Sequence, residues 1–277
     1  MSAIPTTTPH PISRPEPLRK SQLYWAIADT LVIVKRQLIH TRRIPMELVG
    51  FAIMPIMFVV LFRYVFAGAI DVGNGMSYVN FLMAGIFVQS LAFSAPHTGI
   101  TLTQDLQKGL IDRFRSLPMA HSAYLTGRII ADVIKNGFAI AVMVIVGLAV
   151  GFRPEAGLIG WLAAIGVMLF FAFAMCWLGA TIALLVRSPE SVDQMLFTAL
   201  FPLTFASSAF VPASSMPGWL QVFVNHQPVT LVVNTVRGLL LDMPVGNDGW
   251  MALAWCVAIL VICVPAAVSL YQRTTSR

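Results

Sequence analysis

Residues 156–186 read AGLIGWLAAIGVMLFFAFAMCWLGATIALLV. This stretch lies between Glu155 and Arg187 and contains 31 consecutive residues without a charged side chain. About 20 helical residues are enough to cross the roughly 30 Å hydrocarbon core of a bilayer. The stretch therefore predicts a transmembrane helix over residues 158–186.

The composition of the whole chain agrees with a membrane environment. Of its 277 residues, 57% are hydrophobic and 11% are charged, and the mean hydropathy is +0.79. Soluble domains have about 25% charged residues. The 18 basic and 12 acidic side chains are too few to cover a water-exposed surface without leaving large apolar patches. The composition argues against a water-soluble enzyme, and it excludes a disordered chain, which needs low hydrophobicity and high net charge.

Five further uncharged runs predict the remaining spans. They contain 15, 33, 17, 43 and 24 residues, and they follow Glu47, Asp71, Lys135, Asp193 and Asp248, respectively. The 43-residue run contains four prolines, so we expect it to form one span and then an apolar hairpin that does not cross. The predicted fold class is all-α, a polytopic membrane protein with six transmembrane helices. The transmembrane domain covers residues 44–277, with spans near 46–66, 79–103, 131–151, 158–186, 193–212 and 249–270.

The distribution of Lys and Arg predicts the orientation, because these residues accumulate on the cytoplasmic side of membrane proteins. With both termini in the cytoplasm, three of the 18 basic residues face outward, namely Arg63, Arg153 and Arg237. The other fifteen lie inside: Arg14, Arg19, Lys20, Lys35, Arg36, Arg42, Arg43, Lys108, Arg113, Arg115, Arg128, Lys135, Arg187, Arg273 and Arg277. We therefore expect a multi-pass protein of the inner (plasma) membrane with both termini cytoplasmic. The proline-rich residues 1–20 are predicted to be a disordered cytoplasmic tail.

Residues 21–43 have the pattern of an amphipathic helix. Apolar residues such as Ile27 and Leu31 fall on one strip of the helical wheel, and the opposite strip carries polar and basic residues. Such a helix lies in the headgroup plane. The basic residues expected to contact headgroups are Lys35, Arg36, Arg42 and Arg43. The helix either anchors the first span or shapes a lateral opening, and the pattern leaves both roles open.

The cytoplasmic loop after the second span has a helical period. Leu106, Leu110, Ile111 and Phe114 recur at i, i+4, i+5 and i+8, and Pro118 would end the helix. A short helix with an apolar ridge and a charged tip fits a groove on a soluble partner. The alternative is a solvated loop with a cluster of charges.

The segment between the fifth and sixth spans is apolar and interrupted by prolines. It contains Trp219, an amphipathic ring of the type favoured at a membrane interface. We predict an extracytoplasmic re-entrant hairpin, whose non-helical backbone must be covered by protein or by a watery cavity.

Motifs for chemistry are absent from the sequence. None of the four lysines follows a glycine, so the chain lacks a P-loop for nucleotide phosphates. The five histidines are scattered without the spacing of metal ligands, and the three cysteines fall inside predicted spans. The sequence predicts no enzyme activity, no catalytic residue, no metal site and no nucleic-acid partner.

The acidic residues also indicate how the protein is driven. Glu47, Asp132 and Asp193 fall at the ends of predicted spans, and the span centres are neutral. Transporters driven by ion gradients usually keep carboxylates near the bilayer centre. A neutral interior suits an amphipathic, largely apolar substrate, with the energy supplied by a partner.

Two segments carry a resemblance to a known family. Residues 108–119 read Lys-Gly-Leu-x-Asp-Arg-x-Arg-Ser-Leu-Pro-Met, and residues 210–221 read Phe-x-Pro-x-x-x-Met-Pro-x-Trp-Leu-Gln. Gln-Pro-Val-Thr at 227–230 and Arg-Gly-Leu-Leu at 237–240 follow. Over residues 22–270 the chain resembles the ABC-2-type exporter permeases, and within them the daunorubicin-resistance-like drug and lipid exporter membrane subunits.

The resemblance implies a permease subunit that moves an amphipathic drug or lipid out of the cytoplasm. Two separate ABC ATPase subunits would bind the ATP and Mg and drive it, and a second copy or a paralogous permease would complete a homodimer or heterodimer within the membrane lipids. The family's coupling helix maps onto residues 105–118, its connecting helix onto 21–43 and its re-entrant helices onto 212–241. The coupling residues are Asp105, Leu106, Lys108, Gly109, Leu110, Asp112, Arg113, Phe114 and Arg115.

One position departs from the family pattern, because Gln107 stands where an acidic residue precedes the Lys-Gly pair. An ion pair to the ATPase would then use Asp105 or Asp112. The residues expected along the substrate pathway are Phe93, Ser94, His97, Ser207 and Phe210. Alternative readings are a polysaccharide or glycolipid exporter permease, and a non-transporting membrane scaffold or immunity protein.

Overall fold

The computed structural model describes residues 22–43, 45–66, 76–109 and 123–275. Every regular element in these ranges is helical, which confirms the all-α class. The predicted tail at residues 1–20 and most of the predicted coupling helix, from Leu110 onward, lie outside the described residues.

Ten α-helices run through the described ranges in chain order. They are α1 (Gln22–Arg43), α2 (Pro45–Leu61), α3 (Tyr78–Ala92), α4 (Ser94–Gln107), α5 (Ala123–Val150), α6 (Leu158–Val186), α7 (Pro189–Phe205), α8 (Gly218–His226), α9 (Pro228–Leu240) and α10 (Asp248–Thr275). A π-helical turn, Phe62–Phe66, extends α2, and a 3₁₀ turn, Ala213–Ser215, precedes α8.

Four helical segments of the described residues are long and apolar enough to cross a membrane. They cover Tyr78–Gln107 (α3 and α4 together), Tyr124–Val150, Leu158–Val186 and Asp248–Gln272. Helix α6 has the boundaries predicted for the fourth span, residue for residue. In the described residues, Ile53–Phe66 and Pro228–Leu240 are shorter apolar helices.

The third and fifth predicted spans begin well before their predicted first residues. Helix α5 begins at Ala123 and not at 131, because the polar residues of its first two turns are paired inside the bundle. Helix α7 covers Pro189–Phe205 and not 193–212. It begins early because Ser188 accepts a hydrogen bond from the Ser191 amide at 3.4 Å and Pro189 occupies the first turn.

The two short helices α8 and α9 lie between α7 and α10, where the sequence predicted an apolar hairpin that does not cross the membrane. They have 9 and 13 residues, and a helix needs roughly 20 to cross a bilayer. Helix α9 is almost entirely buried and packs on α3, α6 and α10, while Trp219 of α8 is 77% exposed. The backbone of this region is therefore covered by protein on the α9 side.

Helix α6 is the centre of the bundle, since α3, α4, α5, α7, α9 and α10 all contact it. The closest approach is to α4. A Cβ atom placed on Gly179 would lie 2.1 Å from the carbonyl oxygen of Ala95. Only glycine permits this backbone contact, which fixes α4 on α6.

Helix α1 packs on α5 along one side of the bundle. Ile33 and the carbonyl of Thr30 meet the backbone of Gly127 at a distance where a Cβ would clash. Ile27 and Leu31 are 58% and 61% exposed, so their apolar strip is turned away from the bundle. An exposed apolar strip on a basic helix is the arrangement expected for contact with lipid.

Candidate transport cleft and coupling end

The long helix Tyr78–Gln107 is broken at Phe93, and a proline explains the break. Pro96 has no amide hydrogen for the carbonyl of Ala92, four residues earlier, and its ring crowds that carbonyl. The Ser94 hydroxyl donates to the carbonyl of Leu91 at 2.6 Å and so satisfies part of the interrupted ladder. The chain turns at Phe93 and continues as α4.

A cleft of about 250 Å³ opens beside this break. It lies between α2, the α3–α4 junction and α7, and its walls are almost wholly apolar. The lining residues are Met54, Pro55, Phe58, Gln89, Ser90, Phe93, Phe197, Phe201 and Phe205. Phe197 and Phe201 are 49% and 43% exposed, so the cleft communicates with the outer surface of the bundle.

An aromatic cluster closes one end of the cleft. Its members are Phe58, Phe62, Phe205 and Phe210. Phe62 and Phe210 stack with ring centroids 4.5 Å apart, and Phe205 and Phe210 stack at 5.2 Å. Aromatic pairs within about 7 Å attract each other beyond their simple burial. The cluster ties α2 to the segment that follows α7.

At the other end of the bundle, polar contacts join α4 to α5. Asp105 of α4 accepts a hydrogen bond from the Tyr124 hydroxyl at 2.7 Å and forms an ion pair with Arg128. Two turns earlier on α4, the Thr98 hydroxyl donates to Asp132 at 3.0 Å. The side chains of Asp105 and Arg128 are only 18% and 4% exposed, so the ion pair is largely removed from water.

Residues 28–241 match the family of ABC-2 type transporters. The chain belongs to this family. It is 31% identical over 248 residues to a daunorubicin resistance ABC transporter permease, DrrB1, of Streptomyces coeruleorubidus. That match covers 90% of this chain and 87% of the relative.

Other relatives have similar descriptions. A probable doxorubicin resistance ABC transporter permease, DrrC, of Mycobacterium tuberculosis is 31% identical over 258 residues, or 90% of both chains. A putative transport permease, ycf38, of Cyanophora paradoxa is 25% identical over 226 residues, covering 78% of this chain and 75% of the relative. The protein is thus an integral membrane permease subunit of an ABC exporter, as the sequence motifs indicated.

The predicted substrate-pathway residues occupy different places in the permease. Phe93 lines the cleft, and Phe210 lies in the aromatic cluster beside it. Ser94 and Ser207 are 1% and 0% exposed, and their hydroxyls donate to backbone carbonyls of their own chain segment. His97 lies one turn beyond Ser94 and is half-buried. The cleft therefore includes one of the five residues, and α2 and α7 supply the walls that the sequence pattern missed.

The predicted coupling residues are only partly covered by the structure. Asp105 and Leu106 lie in the last turns of α4, and Lys108 and Gly109 form the turn after it. Gly109 has φ +64°, which favours glycine. The remaining predicted coupling residues, Leu110, Asp112, Arg113, Phe114 and Arg115, lie outside the described residues.

The acidic residue Asp132 does not fit the expectation of acids at the span ends. It lies in the third turn of α5, inside the segment long enough to cross a membrane, and is 3% exposed. Lys135 donates to its second carboxylate oxygen at 3.0 Å. The charge is tolerated because an ion pair and the Thr98 hydroxyl compensate for the lost water. Sequence reasoning missed this group because the helix was predicted to begin at 131.

Arg237 was counted as an outward-facing charge, and the structure places it in the interior. Its side chain is 7% exposed, and its guanidinium lies 3.7 Å from the centre of the Phe81 ring. It donates to the carbonyl oxygens of Phe81, at 3.2 and 3.3 Å, and of Ser208, at 2.7 Å. Asn234 accepts a further hydrogen bond at 3.2 Å. Arg237 thereby joins α3, α9 and the segment after α7.

The basic residues predicted for the interfacial helix are accessible. Lys35, Arg36, Arg42 and Arg43 are all exposed on α1.

In the part of the chain that the structure describes, no group of three or more His, Cys, Asp and Glu side chains could hold a metal ion. Cys176, Cys256 and Cys263 are buried, unpaired thiols.

Proposed function

We propose that the permease exports an amphipathic drug or lipid, and that the substrate enters the bundle sideways through the apolar cleft at the Phe93 break. The observation that carries this proposal is the composition and opening of the cleft. Its walls are aromatic and aliphatic, and Phe197 and Phe201 lie exposed at its mouth. Such a wall binds apolar surface by removing it from water and stacks on planar rings.

The energy is proposed to come from two separate ABC ATPase subunits that bind ATP and Mg. Support comes from the family, from the absence of a P-loop in the sequence, and from the resemblance of residues 105–118 to a coupling helix. The permease would act with a second copy or a paralogous permease. Deleting residues 109–115 should abolish co-purification of the ATPase while the permease still inserts into the membrane. Stoichiometric ATPase binding by the deletion variant would refute this docking site.

The proposed topology has six spans in the plasma membrane. Both termini lie in the cytoplasm, and α8 and α9 form a re-entrant pair on the extracytoplasmic side. Helix α2 and its π turn together have 22 residues, about 33 Å of helix. Helix α7 has 17, about 25 Å, and lies beside α4. These two helices serve as the first and fifth spans in addition to the four longer ones.

The cleft is tested by substitution at its mouth. Phe201→Ala should lower the export of a lipophilic fluorescent dye from vesicles that contain permease and ATPase. An aromatic contact contributes about 0.5–1.5 kcal/mol, so the expected fall is roughly two- to tenfold. Phe138→Ala is the matched control, since Phe138 is 53% exposed on α5 and does not line the cleft. Equal export by the two variants would contradict the proposed pathway.

A further inference from the structure

A buried polar stripe runs along one face of α5. Tyr124, Arg128, Asp132 and Asn136 follow one another at intervals of four residues and are 5%, 4%, 3% and 2% exposed. Residues four apart lie on one face of a helix. These four residues lie outside the motif segments that carry the family resemblance, and none of them lines the proposed cleft. Buried polar side chains in an apolar bundle are costly, so we ask what they contribute.

The stripe faces α4 at two levels. Near the Gln107 end of α4, Asp105 accepts a hydrogen bond from Tyr124 and forms the ion pair with Arg128. Two turns away, the Thr98 hydroxyl donates to Asp132. Thr98 and Asp105 are seven residues apart and therefore lie on the same face of α4. The two levels match an antiparallel register of the two helices.

These polar contacts are a major part of what joins α4 to α5. The backbone of α4 packs mainly on α6 and α7, and its direct backbone approach to α5 is limited. At the Asn136 level, the amide group lies 3.8 Å from the sulfur of Cys176 on α6, which itself lies 3.7 Å from the Ser94 hydroxyl of α4. The polar side chains thus bridge helices whose backbones do not interlock.

Sliding of α4 along α5 would be costly. A shift of one turn would separate the Asp105 carboxylate from both the Arg128 guanidinium and the Tyr124 hydroxyl, in a region of little water. An unpaired charge in such surroundings is far more expensive than a paired one. The two helices can change position in the bundle together, but their mutual register is fixed.

We propose that α4 and the first half of α5 move as one rigid arm during transport, because the Asp105–Arg128 and Thr98–Asp132 contacts hold them in register. The arm runs from the Gln107 end of α4 to the break at Phe93, so a displacement at that end reaches the cleft and is not absorbed by sliding. Asp105, Arg128 and Asp132 are positioning residues. This inference rests on the proposed function, in which the ATPase acts at the Gln107 end.

The first test measures the arm in the wild type. Spin labels at Gln104 on α4 and Ile134 on α5, both exposed positions, report the distance between the two helices. The rigid arm predicts the same distance in the nucleotide-free and ATP-trapped complexes. A change larger than about 2 Å, the scale of ordinary helix shifts, would overturn the proposal.

The second test measures the ratio of dye exported to ATP hydrolysed. Arg128→Gln should retain ATP hydrolysis and ATPase binding but export roughly tenfold less dye per ATP, since the Asp105 carboxylate loses its ion pair and keeps only the hydrogen bond from Tyr124 to hold the register. Arg128→Lys keeps the charge and should recover most of the ratio. Asp193→Asn removes an exposed charge on α7 and is the control. A wild-type ratio in Arg128→Gln would refute the role of the ion pair.

The two proposals fail differently. A wild-type permease that neither binds an ATPase nor exports dye contradicts the proposed function before any variant is made. A wild type that exports dye while the Gln104–Ile134 distance changes contradicts the rigid arm alone. Thr98→Val removes the hydroxyl that donates to Asp132 and leaves the coupling residues unchanged. Measured in both assays, it serves as the second variant if Arg128→Gln does not accumulate in the membrane.

Discussion

Arg237 shows how much a single buried side chain can hold together. Its planar guanidinium donates hydrogen bonds to the backbone carbonyls of Phe81 and Ser208, which belong to different segments. It also lies on the Phe81 ring and donates to the Asn234 side chain. Asn234 in turn donates to Asp248 of α10 at 2.9 Å. A network of this kind is stable only when each polar group has its partner, because the surroundings offer little water.

Replacing Arg237 should therefore destabilise the permease strongly. Arg237→Met removes the donor to the Ser208 carbonyl, at about 1–3 kcal/mol for the unsatisfied group, and also removes the contacts with the Phe81 carbonyl and ring. Arg237→Lys should recover little of the lost stability, since the lysine ammonium group is a point charge and lacks the planar set of donors of the guanidinium. The measurement is the midpoint of thermal unfolding in detergent. Arg63→Met is the control, since the contact of Arg63 within the described ranges is a distant one, 5.9 Å from the Tyr64 ring. Equal midpoints would show that the network contributes no net stability.

Gly179 provides a second prediction at the scale of one atom. A methyl group on this residue would lie 2.1 Å from the Ala95 carbonyl oxygen, so Gly179→Ala must push α4 away from α6. Overpacking of this kind costs about 1–3 kcal/mol. Gly166 lies on the same helix, and a Cβ there meets nothing within 4 Å, so Gly166→Ala is the matched control. A stability of Gly179→Ala equal to that of the control would contradict the close contact.

At the scale of an element, the break between α3 and α4 gives the cleft its shape. The break follows from Pro96, whose ring and missing amide hydrogen interrupt the helix near Ala92. Pro265 in α10 does not have this effect on the described helix, which continues from Asp248 to Thr275. A proline thus does not interrupt every helix that contains it.

Pro96→Ala should straighten the helix. The restored amide can bond the Ala92 carbonyl, so the α3–α4 segment becomes longer and Phe93 moves relative to α7. Spin labels at Ser77 and Gln104, exposed positions on either side of the break, should then lie farther apart than in the parent protein. Pro265→Ala should leave this distance unchanged. An unchanged distance in Pro96→Ala would mean that tertiary contacts alone maintain the break.

At the scale of the whole molecule, the bundle has two distinct ends. At one end the aromatic cluster and the Arg237 network join α2, α3, α9 and the segment after α7. At the other end, Asp105 joins α4 to α5, and α1 packs on α5 beside it. The cleft proposed to admit the substrate lies between these ends, at the helix break.

The proposed topology predicts which end faces the cytoplasm. A cysteine at Ser77 should react with a membrane-impermeant maleimide added to intact cells, and a cysteine at Gln107 should react only after the cells are opened. Both positions are exposed, and the native cysteines are buried. The reverse labelling pattern would overturn the orientation deduced from the Lys and Arg distribution.

The sequence by itself determined the all-α membrane class, the boundaries of α6 and the family, because uncharged runs and local motifs depend on residues close together in the chain. The tertiary structure decided where the charges go. Arg237 and Asp132 looked like residues of the membrane edges, yet both are buried. Their partners, Phe81 and Thr98, lie 156 and 34 residues away along the chain. The same holds for the cleft, whose walls come from α2, α3 and α7. The periodic pattern of apolar residues along a helix indicates which of its faces is buried. Which polar partners a buried side chain such as Arg237 or Asp132 finds depends on how helices distant in the sequence pack together.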